Sequence, residues 1–205
     1  TVQEPLVTVC SEPAADAYVR SNYATTNYGF TSDIRITDAA ADFYGYLKFN
    51  VQDVTGPVQK ATLKLYGLDT SDDGGTAYAV SDTSWSEGGI TWNNAPPMGS
   101  ALASAGQVGV DEWVEFDVTA AVTGIDLFSF ALTSGSSDVV KYSSREGTHA
   151  PQLCVEYESG PLPPPVAEFT AVPVTGTVPL AVQFTDLSTG LPASWAWDFG
   201  DGSGS

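Results

Sequence analysis

Basic side chains are scarce in this sequence. Lys and Arg number 7 against 25 Asp plus Glu, which leaves a formal net charge of −18. Long-range repulsion of that size excludes nucleic acid as a partner. Histidine occurs once, at His149 beside Ala150-Pro151, so a zinc centre is not expected, and the residue reads as an ordinary turn residue. Long apolar runs are missing as well. None approaches the roughly 18 residues of a membrane span, so no spanning helix is expected. The sequence opens at Thr1 with no Met and no basic-plus-apolar leader, which fits a processed N-terminus. The motifs GxSxG, HExxH and the phosphate-binding loop are all absent, and one histidine leaves few nucleophile–base pairs. Paired carboxylates can cleave glycosides, but with 25 acids their presence carries no information. The sequence therefore reads as non-enzymatic.

Cysteine occurs only at positions 10 and 154, near the two ends of the first large segment. With no CxxC spacing, the pair suits a disulfide between the first strand and the last better than a metal site. That bond implies an oxidising, extracytoplasmic setting. The alternative is two unpaired buried thiols.

Period-2 alternation is the dominant pattern. In "KATLKLYG", Ala61, Leu63 and Leu65 share one face, and Thr62, Lys64 and Tyr66 the other. "EWVEFDV" and "PQLCVEY" alternate in the same way. "LVTVC", "DIRI", "YGYLKFNV", "TAYAV", "DLFSFAL" and "VVKYSS" supply further short strands, and Gly-, Asp- and Ser-rich turns separate them. Residues 118–124, "VTAAVTG", read as a helix of one or two turns. The expected fold is all-β: an antiparallel, jelly-roll-like β-sandwich over 1–158. A Pro-rich linker follows over 159–166. A second β unit occupies 167–205, with strands in "AEFTAV" and "LAVQFTD".

Two family resemblances run through these segments. "ADAYVRSNYATTNYGFTSDIRI", "YLKFNV", "ATLKLYG", "SWSEGGITWNNAPP", "WVEFDVTAAVTG", "YSSREG" and "APQLCVEY" occur in that order. Together they resemble the disaggregatase-related (DNRLRE) repeat, a carbohydrate-binding-module-like family. That family usually carries a basic residue just before the "YLKF"-type strand, where this sequence has Tyr44 and Gly45. The second segment, through "WDFGDG", resembles the N-terminal half of a PKD (polycystic-kidney-disease-type) domain, an immunoglobulin-like sandwich. The resemblances imply cell-surface or secreted proteins of archaea and bacteria, with the repeat as a non-catalytic appendage on polysaccharide and the PKD unit as a spacer.

Several residues carry candidate chemistry. Trp85 and Trp92, in "SWSEGGITWNNAPP", either stack on sugar faces or clamp a long loop to the sandwich edge, with Asn93 and Asn94 satisfying freed backbone groups. Among the basic residues Arg20, Arg35, Lys48, Lys64, Lys141 and Arg145, convergence of Lys48, Lys141 and Arg145 would suit a sugar carboxylate or sulfate; the competing reading is structural ion pairing. Tyr18, Tyr23, Tyr28, Phe30 and Tyr44 either line a glycan groove or pack an edge. Oxygen-rich loops at Asp69, Asp72 and Asp73, together with Asp16, are candidate ligands for a structural calcium; a plain hairpin turn accounts for "SDDGG" equally well.

The expected partner is a polysaccharide or cell-surface matrix, with an acidic glycan favoured. One alternative is a structural subunit of a filament or surface layer. Its open β edges would pair between chains, and "TVQEPLVTV" would be the donor strand. A second alternative is an ancillary part of a polysaccharide-degrading enzyme.

Overall fold

A computed structural model describes residues 5–160, 166–189 and 194–198. The chain divides into two compact units, Thr1–Gly160 and Pro161–Ser205. Residues 1–4 of the expected donor strand, 161–165 of the linker and 199–202 of "WDFGDG" lie outside the described residues.

The first unit is built from β1 (Leu6–Ser11), β2 (Pro13–Arg20), β3 (Asp33–Asp38), β4 (Asp42–Val51), β5 (Val58–Tyr66), β6 (Gly75–Val80), β7 (Ala101–Ala105), β8 (Trp113–Asp117), β9 (Asp126–Thr133), β10 (Val140–Ser143) and β11 (Gln152–Glu158). One sheet has the order β1-β11-β5-β8. The other runs β10-β3-β4-β9-β6-β7, with β2 paired to β4. Every pairing is antiparallel, so this is the expected antiparallel sandwich.

The alternating faces meet between the sheets. Ala61, Leu63 and Leu65 of β5, Phe116 of β8, and Leu153 and Val155 of β11 pack against Ile34, Ile36, Leu47, Phe49, Phe130 and Leu132 of the second sheet. Burying one such aliphatic or aromatic side chain stabilises by about 1.5–3 kcal/mol, so the core rests on these positions. Cys10 and Cys154 face each other across the β1–β11 ladder and form a disulfide.

Two strands lacked an alternating signature. In β2, nearly every residue from Pro13 to Val19 is buried on one side of the sheet or the other. A strand covered on both faces shows no polar alternation. β7, "ALASA", is too small-residued to show a pattern. The expected helix at 118–124 is a single 3-10 turn, Thr119–Ala121. The Thr119 hydroxyl accepts the Ala61 N–H at 2.9 Å, and Gly124, at φ +154°, turns the chain out toward β9.

In the second unit, β12 (Phe169–Val172) pairs antiparallel with β13 (Gln183–Asp186). The rings of Phe169, Phe184 and Trp197 cluster beside this ladder.

Candidate functional site

The outer face of the larger sheet is covered by the tryptophan loop. Ala15, Ala17 and Val19 of β2 and Ala131 of β9 present small side chains there, and these leave room for an indole to settle. Trp85 fills that space and is 8 % exposed. Its Nε1–H donates to the Ser129 hydroxyl at 2.9 Å, and the Tyr46 ring meets it edge-on. The Tyr46 hydroxyl donates to the Pro96 carbonyl at 3.0 Å, and burial pushes its pKa up to about 12. Lys48, from β4, donates to the carbonyls of Thr83 and Trp85 and lies 4.8 Å from the indole centroid. Asn94 accepts the Thr91 N–H and donates to the Gly89 carbonyl, closing the turn. With both faces of Trp85 packed, that ring has none to offer a sugar. Trp92 is half-buried and lies 4.8 Å from Tyr44.

A second constellation joins this loop to β2. Asp16, 1 % exposed, accepts the backbone N–H of Arg145 at 2.8 Å. The Asp16 N–H donates to Glu87 Oε1 at 3.0 Å, and Arg145 Nη1 donates to both Glu87 oxygens at 3.1 Å. Arg145 Nε stands 3.8 Å from Glu146. Burial foremost, then the nearby Glu146 and Glu87 charges, push the Asp16 carboxyl up to about 7 against the pull of the Arg145 N–H. Carboxylate oxygens of Asp16, Glu87 and Glu146 lie within 4.8 Å of one another, so among the described residues Glu87 and Glu146 are the two able to share a cation with Asp16.

Asp69, Asp72 and Asp73 do not join Asp16. Asp69 binds the Lys141 N–H at 2.8 Å and its Nζ at 3.0 Å. Asp73 takes the N–H groups of Gly75 and Gly135 and the Ser134 hydroxyl. Burial alone would raise its pKa, but these donors hold it below the ordinary carboxylate value. Asp72 is exposed. The expected convergence of Lys48, Lys141 and Arg145 is likewise not formed. Each is taken up separately: Lys48 by loop carbonyls, Lys141 by Asp69 and Arg145 by Glu87. In so acidic a chain a nearby carboxylate meets most cations before a ligand does.

Arg20 is different. It ends β2 opposite Phe43 of β4, and the 3-10 turn Ser21–Tyr23 folds Tyr23 back beside it. Its Cζ lies 4.3 Å from the Phe43 centroid, 4.7 Å from Tyr23 and 5.8 Å from Tyr28. Tyr28 in turn stacks on Tyr18 at 4.5 Å, and Arg35 lies 5.7 Å from Tyr18 while bonded to Asp33 at 2.7 Å. Arg20 Nε is buried without a hydrogen-bond partner. Asp42 comes near through its backbone, whose N–H donates to the Ser21 hydroxyl, but its carboxyl turns to Asp38. Tyr23 and Phe30 remain 54 % and 70 % exposed. The sequence named these tyrosines and Arg20 separately; their assembly around one guanidinium depends on the β2–β4 register.

The fold is a β-sandwich whose β2–β4 edge carries an arginine among aromatic rings, with the Tyr23 ring exposed beside it. The sequence model of carbohydrate-binding module family 96 matches residues 7–157, and the chain belongs to that family. A gellan lyase from Bacillus sp is 30 % identical over 141 residues, which is 59 % of this chain. The match spans only 6 % of that lyase's length.

Proposed function

We propose that this chain is a non-catalytic, extracellular module that holds acidic polysaccharide at a cell surface or in a matrix. The observation that carries this reading is the β2–β4 edge: in a chain of net charge −18, a guanidinium lies among aromatic rings, one of them the exposed ring of Tyr23. Aromatic faces bind the C–H faces of sugars, and an arginine adds a forked donor for an anion. The disulfide suits an oxidising compartment, and the likenesses to the disaggregatase-related repeat and the PKD domain point to the same setting. The small share of the gellan lyase that matches fits an ancillary segment of a larger polysaccharide-acting protein. The test is retardation of the whole chain in gels cast with gellan, other acidic polysaccharides or neutral ones. Retardation by acidic gels that weakens with salt is expected; retardation by neutral gels alone, or by none, refutes the reading.

A second reading, a self-assembling structural subunit, draws on the second unit. There, β12 and β13 pair only with each other among the described residues, and Phe169, Val172 and Trp195 are exposed. Unpaired strand edges are templates for other strands. Electron microscopy of concentrated protein tests it: regular fibres or lattices support assembly, and dispersed particles reject it.

A further inference from the structure

The fate of the seven basic residues singles out one of them. Arg35, Lys64, Lys141 and Arg145 each reach a carboxylate within 4.0 Å. Lys48 is spent on loop carbonyls. Lys60 is an exposed strand residue on the other sheet. Of the seven, only the Arg20 side chain lies among three aromatic rings, and no side-chain hydrogen bond or ion pair joins it to any described residue.

That placement is unfavourable by itself. A buried charged N–H without an acceptor is costly, and cation–π contact offsets that cost only in part. With 25 acidic residues in the chain, a carboxylate within reach of Arg20 would be the ordinary solution, and among the described residues none forms an ion pair with it. The rings do something an acid would not: they fix the plane of the guanidinium and leave its charge uncompensated. Only Nε is both enclosed and unbonded, so Nη1 and Nη2 remain open for an acceptor from outside.

We propose that Arg20 is the carboxylate-reading group of a hexuronate subsite, with the exposed ring of Tyr23 as the stacking face for the same sugar. This rests on the reading of the chain as an acidic-polysaccharide module and assigns the residues that do it. Phe43 and Tyr23 hold the guanidinium so that its two Nη groups form a fork. A planar carboxylate meets that fork bidentately. Tyr23, centred 4.7 Å from the guanidinium carbon, stands beside the fork, where the pyranose bearing the carboxylate would lie. The site differs from the position before β4's "YLKF" stretch, where Tyr44 and Gly45 stand. Gly45 cannot carry a longer side chain there, because a Cβ would come within 2.8 Å of Ile34 Cγ2.

The experiment is calorimetric titration of the whole chain with polysaccharides containing glucuronate, galacturonate, mannuronate or guluronate. The controls are a fully methyl-esterified galacturonan, dextran and dextran sulfate. Arg20→Gln, Arg20→Lys, Tyr23→Ala and the charge control Lys60→Gln are compared with the unaltered chain, and each variant's fold is checked by its melting curve. The expected pattern is binding to at least one polyuronate, lost at least tenfold in Arg20→Gln and in Tyr23→Ala. Arg20→Lys should recover part of the loss, because it keeps the charge without the fork, and Lys60→Gln should change nothing. The methyl ester should not bind. Polyuronate binding that survives Arg20→Gln, or falls equally in Lys60→Gln, overturns the assignment and leaves the broader function standing. Binding of dextran sulfate as tight as that of the polyuronate also overturns it. If Arg20→Gln fails to fold, the ester comparison on the unaltered chain still decides: equal binding of ester and acid overturns the proposal. No binding to any acidic polymer overturns the broader function instead.

Discussion

Replacing Asp16 by asparagine should stabilise the sandwich at pH 8 and change little at pH 4. The carboxyl is 1 % exposed, and Glu87 and Glu146 stand beside it with Arg145 as their shared cation. Its pKa is raised from 3.8 to about 7, first by burial. Between those values the folded chain keeps a proton that the unfolded chain has released. Stability therefore falls as pH rises through this window and is fully present only below it. At 1.36 kcal/mol per pKa unit, the penalty accumulated by pH 8 is roughly 4 kcal/mol. Asparagine keeps an acceptor for the Arg145 N–H and never ionises, so the variant should escape that penalty. For a unit of this size, roughly 4 kcal/mol corresponds to a rise of about 8–16 °C in melting temperature at pH 8. Urea unfolding of both proteins at pH 4, 6 and 8 measures the difference directly. EDTA is included so that no divalent cation neutralises the three carboxylates. The carboxylates with lowered pKa, such as Asp73 and Asp117, titrate below this window and cancel in the comparison. A variant-minus-parent difference that is the same at pH 4 and pH 8, or that turns destabilising at pH 8, refutes the reasoning.

Three further variants test the sandwich. Trp85→Ala should cost about 3–5 kcal/mol in urea unfolding, because it empties the space over Ala15, Ala17 and Ala131 and frees the Ser129 hydroxyl. The same variant, where still folded, should bind polysaccharide undiminished, since the ring has no free face. The double variant Cys10→Ser, Cys154→Ser opens a loop with a sequence separation of 144, and in the chain-entropy model should lose about 5 kcal/mol, measured against the oxidised parent. Gly75→Ala should cost at least about 2 kcal/mol. Its φ is +95°, and a Cβ there would lie 2.4 Å from the Thr133 carbonyl oxygen and 2.5 Å from Ile36 Cδ1.

The sandwich was legible wherever one strand face met water. β5, β8 and β11 belong to the sheet whose outer side is open, and their alternation marked the core face residue by residue. β2 was not legible as a strand, because the tryptophan loop buries its outer face and the core its inner one. The loop itself was half legible. Gly88-Gly89 and Pro96-Pro97 ruled out regular structure, and Asn94 closes the turn as its side chain allows. What no local pattern could show is that small alanines some seventy residues upstream clear the seat for Trp85.

Site residues were least legible, and the reason is electrostatic. With 25 acids to 7 bases, the nearest neighbour of a cation in space is usually an acid, and which acid depends on register alone. Arg145 and Lys141 look as free as Arg20 in the sequence, yet Glu87 and Asp69 neutralise them: the first pair joins two loops, the second a loop to β10. The aromatic residues around Arg20 carry the information instead. Tyr18, Tyr23, Tyr28 and Phe43 are closely spaced in sequence, and the β2–β4 ladder pairs Arg20 with Phe43. In a strongly acidic protein, then, abundance of charge says little about where an anionic ligand is held. The proposed site is instead a cation fenced by rings, which take up the volume an acid would need and cannot neutralise what they surround.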